Sequence, residues 1–95
     1  MPSIQLLRDR QEDSFLDDGS VSLSPTRRAD SIVVEVYDVR GAHVRTLLRG
    51  AIAAGRHALA WDGRSDDGAA AAPGVYLVRA YGFGQASTLR VALLR

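Results

Sequence analysis

The sequence of 95 residues contains no cysteine, no lysine and no asparagine. Without cysteine the chain forms no disulfide and no thiolate metal site, and it has no cysteine nucleophile. Without asparagine it has no N-glycosylation acceptor. Apolar packing must therefore stabilise the fold alone, in a chain short enough to bury only about 60–65% of its unfolded surface. We expect one compact core.

Charge of either sign is also not concentrated anywhere. Twelve basic and eleven acidic residues are spread along the chain, so no basic block would follow a phosphate backbone and no nucleic-acid partner is predicted. Every basic residue is arginine. Because asparagine is missing too, we attribute this to coding bias rather than to a phosphate-binding surface.

Long hydrophobic runs are absent, since none approaches the roughly 20 apolar residues that span a bilayer. No membrane insertion is predicted. The N-terminus "MPSIQLLRDRQED" becomes charged after one short apolar stretch, unlike a signal peptide. The expected location is extracellular or at the cell surface if the chain is part of a larger protein, and cytoplasmic if the chain is complete.

Apolar residues recur at every second position, which predicts strands rather than helices. In "SIVVEVYDV", Ile32, Val34 and Val36 share one face. Val21 and Leu23 predict a shorter strand that ends near Pro25. Two later strands are predicted in "GVYLVRAY" and "STLRVALLR", and the alanine run "GAAAAPG" is too short for a helix.

Turn residues separate these strands. Asp38 and Gly41 predict a hairpin after which alternation resumes at His43. Gly50 and Gly55 predict a second break, and "GFGQ" is a turn before the last strand. About seven short strands at regular spacing favour an all-β fold, an antiparallel immunoglobulin-like or fibronectin III-like β-sandwich.

The ordered motifs "VEVYDVRGAHVRTL", "AAGRHALAWDGRSDDG", "PGVYLVRA" and "TLRVALLR" resemble the immunoglobulin-like domain of the flagellar hook-assembly protein FlgD. Similar domains end many secreted bacterial proteins, including type IX secretion substrates. The resemblance covers residues 20–95, which we assign to the sandwich. It implies a structural or assembly module that works by protein–protein contact.

Residues 1–19 are predicted to be an N-terminal segment with an acidic loop. Ile4 to Leu7 have the apolar character of a first strand. We favour pairing of this strand within its own sandwich, because a sandwich edge needs cover. The alternatives are donation to a neighbouring molecule and a solvated linker.

The loop "DGRSDDG" offers Asp62, Ser65, Asp66 and Asp67 as oxygen donors for calcium. It lacks the spaced bidentate glutamate and the EF-hand spacing. Asp62 is suited to cap the turn, and Asp66 and Asp67 with the glycine after them are typical of a reversal held by side-chain to backbone bonds. We therefore predict a turn and no metal site.

Trp61 allows two interpretations, a core anchor or a platform for sugar stacking. Its place at the end of a run with His57 and Leu59 favours the core. On the alternative interpretation Tyr37, Tyr76 and Tyr81 would supply rim contacts.

His43 and His57 are the only histidines. A catalytic pair needs a nucleophile and an orienting carboxylate, and neither Ser31 nor Ser65 lies in a recognised motif. We predict that both histidines are surface strand residues and that the domain is not an enzyme, with no catalytic, cofactor-binding or metal residues and no cofactor.

The predicted function is a non-catalytic contact module whose partners are domains of its parent protein, assembly partners or further copies of itself. The alternatives are a carbohydrate- or calcium-binding accessory module, and a small self-assembling subunit of a virion or filament.

Overall fold

The computed structural model describes residues 6–8, 14–15 and 20–93, and within these ranges the chain forms strands and no helix. The strands are, in chain order, β1 (Leu6–Arg8), β2 (Ser14–Phe15), β3 (Ser20–Leu23), β4 (Ala29–Asp38), β5 (His43–Ile52), β6 (His57–Ala60), β7 (Gly74–Gly82) and β8 (Gln85–Leu93).

The strands form two sheets, one of three strands in the order β1-β3-β6 and one of five in the order β2-β8-β7-β4-β5. All neighbours are antiparallel except β2, which pairs with β8 in parallel. The predicted antiparallel sandwich is confirmed. The described residues contain eight strands where about seven were expected, because the two-residue strand β2 was not predicted.

The first strand covers Leu6–Arg8 and pairs with β3 of the same molecule. It was predicted at Ile4 to Leu7, and Ile4 lies outside the described residues. The Leu6 side chain is buried, and its N–H donates to Ser87 Oγ at 3.3 Å, on β8 of the other sheet. The N-terminal strand thus ties the two sheets together.

The core lies between the sheets and is built by alternation. Over most of β4 and β7 and at the end of β8 every second side chain is buried, because successive side chains of a strand point to opposite faces. The buried face predicted for β4 is confirmed. The buried hydrophobic side chains are Leu6, Val21, Leu23, Ala29, Ile32, Val34, Val36, Trp61, Tyr76, Val78, Ala80, Val91 and Leu93.

The hairpins form at the predicted turns. Gly41 has φ of 87°, a left-handed conformation that a side chain would strain. Asp38 closes this turn by accepting from the N–H groups of Arg40 and Ala42, both at 2.9 Å. In the β7–β8 turn, Phe83 and Gly84 have φ of 54° and 70°. Two successive positive φ values are the signature of a type I′ hairpin turn.

The predicted second break is present but begins after Ile52 and not at Gly50. Gly50 does not end a strand, since β5 continues to Ile52 and Gly50 pairs with Ile32. It has φ of 131° and lies where the β4–β5 register shifts, so the strand bends there instead of stopping. The chain leaves the sheet only after Ile52 and returns at His57 through a turn that contains Gly55.

Candidate interaction surface

A second acidic loop, residues 62–70, follows β6 and is held in a turn by hydrogen bonds. Ser65 N donates to Ala69 O at 2.9 Å, and Gly68 N donates to Ser65 O at 3.0 Å. Trp61 anchors the loop, because its indole Nε1 donates to Arg64 O at 2.9 Å. The loop geometry is therefore fixed by backbone bonds and by one side chain in the core.

Two of its carboxylates serve these turns. Asp62 Oδ1 accepts from Arg64 N at 3.0 Å, and Asp67 Oδ1 accepts from Ala69 N at 3.1 Å. The bonds from the Ser65 hydroxyl and the Ala69 N–H hold the pKa of Asp67 below its usual value. The geometry at both positions is the capping geometry that the sequence suggests.

The third carboxylate has a different role, which sequence analysis missed. Asp66 N donates to Val44 O at 3.0 Å, and Asp66 Oδ1 accepts from Thr46 N at 3.0 Å. Asp66 therefore lies on the outer edge of β5, about 20 residues earlier in the chain. No local sequence signal reports a contact at this separation.

Basic side chains of β5 surround that contact. Arg45 Nη1 donates to Ser65 O at 3.2 Å, and Arg45 Nε lies 3.8 Å from Asp66 Oδ1. His43 Nδ1 lies 3.8 Å from Asp66 Oδ2. The loop is thus held on β5 by three hydrogen bonds and by the charge of Arg45 beside Asp66.

The outer face of the five-stranded sheet carries a polar cluster beside this edge. His43 Nε2 lies 2.9 Å from Glu35 Oε2, and the Tyr37 hydroxyl donates to Glu35 Oε1 at 2.9 Å. Partial burial and the bond to Glu35 raise the pKa of Tyr37. Tyr37 is therefore neutral at physiological pH and acts as a hydrogen-bond donor.

Further along the same face an open depression of about 460 Å³ lies at the β7–β8 turn. Ser31, Val33, Tyr81 and Gln85 are among the residues that line it. Tyr81 is 37% exposed, and the Arg79 guanidinium carbon lies 4.7 Å from the centroid of its ring. Exposed tyrosine and arginine are side chains typical of protein interfaces.

Trp61 lies in the core and not on a surface. It is 1% exposed and meets Tyr76 edge-on, with 5.1 Å between ring centroids. Tyr76 is buried too, and its hydroxyl donates to Ala72 O at 2.5 Å. Trp61 therefore has no face on which a sugar ring could stack.

The remaining candidates are not brought together. His43 is exposed at the start of β5, whereas His57 is half-buried and its Nε2 lies 2.7 Å from Ala53 O. Ser65 bonds within its own loop, and Ser31 is exposed at the depression. Across residues 6–8, 14–15 and 20–93, no group of three or more histidine or acidic side chains is placed to hold a metal ion. The expectation that the domain has no catalytic, cofactor or metal residues stays a prediction.

Comparison with known proteins gives a family match. The family model for the FlgD Ig-like domain matches residues 11–85, from the segment before β2 to the start of β8. The match begins earlier than the resemblance at residues 20–95 expected from the motifs. No curated protein matches the chain significantly.

Solved structures share the fold. FlgD from P. aeruginosa is 26% identical, with a TM-score of 0.64 over 95% of this chain and 67% of that protein. Dimeric latent PorU from Porphyromonas gingivalis is 17% identical, with a TM-score of 0.78 over 99% of this chain. PorZ, a bacterial surface component of the type IX secretion system of the same organism, is 22% identical with a TM-score of 0.54. The chain spans only 9% of PorU and 11% of PorZ.

Proposed function

This chain belongs to the FlgD Ig-like domain family, and from that premise we propose that it is a non-catalytic structural or assembly module that acts by protein–protein contact. We assign the contact to the sandwich of residues 20–95 and treat residues 1–19 as an N-terminal segment, within which β1 and β2 add to the two sheets. No cofactor is needed for this role.

The observation that carries the proposal is the exposed face of the five-stranded sheet. On β7 the large apolar side chains of Tyr81 and Val75 are 37% and 40% exposed, and the Arg79 guanidinium lies over the Tyr81 ring. A face with tyrosine, arginine and aliphatic side chains around a shallow depression suits a protein partner better than a small molecule, which needs an enclosed pocket.

The proposed setting is a secreted or cell-surface bacterial protein, in which this domain is the C-terminal part. The relative chain lengths support this setting, since the chain corresponds to about a tenth of the length of PorU and of PorZ. No stretch among the described residues forms a helix that could cross a membrane.

Site-specific photo-crosslinking tests the role. A photoreactive residue at Tyr81 should crosslink to a specific protein when the chain is produced in its source bacterium. Ala58 is the matched control, because it is also exposed on a strand but lies in the three-stranded sheet. Crosslinking of the same protein with equal yield at both positions, or no protein adduct at Tyr81, would contradict a contact role for this face.

The same preparation tests the accessory-module alternatives. Calcium at 100 times the dissociation constant of a specific site would stabilise the domain by about 2.7 kcal/mol. We expect no calcium-dependent rise in the melting temperature and no binding to a glycan panel. Filaments seen by electron microscopy of the purified chain would instead support the self-assembling subunit.

A further inference from the structure

β5 is a long strand at the edge of its sheet. It is 10 residues long and lies at the end of the five-stranded sheet. Among the described residues no other strand pairs with its outer side. The unpaired N–H and C=O groups of an edge strand are a template for a further strand from another chain.

Asp66 occupies the first part of this template. A residue of an added strand would use its own N–H and C=O to bond with β5. Asp66 uses its N–H, which donates to Val44 O, and its carboxylate, which accepts from Thr46 N, both at 3.0 Å. It therefore imitates one residue of a neighbouring strand.

The charge of β5 indicates what the remaining edge would accept. The strand "HVRTLLRGAI" carries His43, Arg45 and Arg49 and no acidic residue. Arg49 is exposed and pairs across the ladder with the uncharged Val33. Glu35 on β4 and Asp66 are the carboxylates in contact with His43, and Asp66 is also the one beside Arg45.

We propose that the β5 edge from Thr46 to Ile52 is a strand-addition site for an extended acidic segment of a partner protein, and that the Asp66 carboxylate is a built-in competitor for the Thr46 N–H at its near end. This inference rests on the proposed contact function and names its partner class. Asp66 with its acidic loop shows the chemistry that the strand accepts, a backbone donor paired with a negative charge beside Arg45.

A second copy of this chain fits the edge less well. Two β5 strands in one ladder would place three basic side chains from each molecule along the same short ribbon. Like charges opposite each other in a sheet are destabilising. An acidic segment instead gains both the ladder bonds and charge complementarity.

The test uses an acetylated eight-residue peptide that alternates valine or threonine with aspartate. Its affinity is measured by fluorescence anisotropy for the whole chain and for the Asp66→Ala variant. We expect Asp66→Ala to bind about tenfold more tightly, because loss of the carboxylate leaves the Thr46 N–H and the charge of Arg45 available to the peptide. Asp66→Asn retains an oxygen that can accept from Thr46 N but loses the charge, so its affinity should lie between the two.

Three controls separate strand addition from general charge attraction. A peptide with N-methylated amides at alternate positions has the same charge but cannot form the ladder, so it should not bind. A peptide with lysine in place of aspartate should not bind either. Adding Arg49→Gln to Asp66→Ala should weaken binding of the acidic peptide by about two- to fivefold.

Amide shifts in NMR spectra show where the peptide lies, and they report folding of each variant at the same time. We expect the largest changes from Thr46 to Ile52. Equal affinity of the wild-type chain and Asp66→Ala, binding of the N-methylated peptide, or shifts on another strand would overturn the proposal. Self-association of Asp66→Ala without peptide would overturn it too, since the occupant would then be a second copy. If these outcomes appear while Tyr81 still crosslinks to a protein, the contact function stands and only the edge proposal falls.

Discussion

The two outer edges of the five-stranded sheet are covered by different means. At one edge β2 pairs with β8 through the register Ser14↔Ala92 and Phe15↔Leu93, so backbone covers backbone. At the other edge a single residue, Asp66, takes part of that place on β5 through its backbone N–H and its carboxylate. Cover by backbone pairing can use almost any residue, whereas cover by a side chain depends on one carboxylate and on the loop that positions it.

The difference shows how a small domain distributes stability. β1 and β2 belong to a short segment that ties both sheets, and Leu6 adds buried apolar surface there. The loop that carries Asp66 is anchored instead by Trp61, one of the largest core side chains. The N-terminal strands and the Asp66 loop are thus both connected to the core, the strands through Leu6 and the loop through Trp61.

The largest expected effect comes from Trp61→Ala, which removes both the loop anchor and a core side chain. Truncation of a buried tryptophan costs about 3–5 kcal/mol, and small domains have total stabilities of about 5–15 kcal/mol. We expect a large loss of stability or unfolding at 25 °C. Thermal and urea denaturation followed by circular dichroism measure it.

Tyr81→Ala is the matched control, because it also removes an aromatic ring but from the exposed face. It should change the free energy of unfolding by less than about 1 kcal/mol. Comparable losses in the two variants would mean that Trp61 is no more important to the core than a surface ring.

The backbone-paired edges are tested by deleting residues 1–16, which removes β1 and β2 together. The deletion exposes unpaired groups on β3 and β8 and removes the buried Leu6 side chain. We expect a folded but less stable domain that self-associates. Light scattering measures the molar mass, and circular dichroism confirms the fold.

Deletion of residues 1–5 is the control, since it keeps both strands. It should leave the number of chains in each particle unchanged. A monomer after the longer deletion would contradict the view that these strands protect the edges. Dissociation of an oligomer into monomers would show that the segment is exchanged between molecules.

The smallest expected effect concerns pH. Bonds from the Ala42 N–H and the Arg40 side chain hold the pKa of Asp38 below its usual value, as the loop bonds do for Asp67. A carboxyl whose folded pKa is lowered contributes stability that is present above its unfolded pKa, near 4, and is lost as pH falls through the folded value. Melting temperature should therefore decline below about pH 4.

Asp38→Asn and Asp67→Asn each test this contribution. Each variant should be less stable than the parent at neutral pH, and its difference from the parent should shrink as the pH falls below 4. A difference that is constant between pH 7 and pH 2 would show that these carboxylates do not produce the acid sensitivity.

Sequence patterns predicted the parts that depend on neighbours in the chain. Alternation identified the buried face of β4, with Ile32, Val34 and Val36, because side-chain direction follows from strand geometry alone. Turn chemistry identified Gly41, because few other residues adopt its φ. The second break was predicted, but its start at Gly50 was wrong, because glycine also permits a bend within a strand and only the ladder with β4 distinguishes the two.

The sequence by itself determined most of the strands, the buried face of β4 and the hairpin turn at Gly41, and it favoured the burial of Trp61, since each of these follows from local periodicity, backbone conformation or the place of a side chain in its strand. Only the tertiary structure decided that β2 lies parallel to β8 and that Asp66 lies against β5. Both contacts join residues far apart in the chain. Their formation depends on where the packed sheets bring the backbone, which no short stretch of sequence specifies.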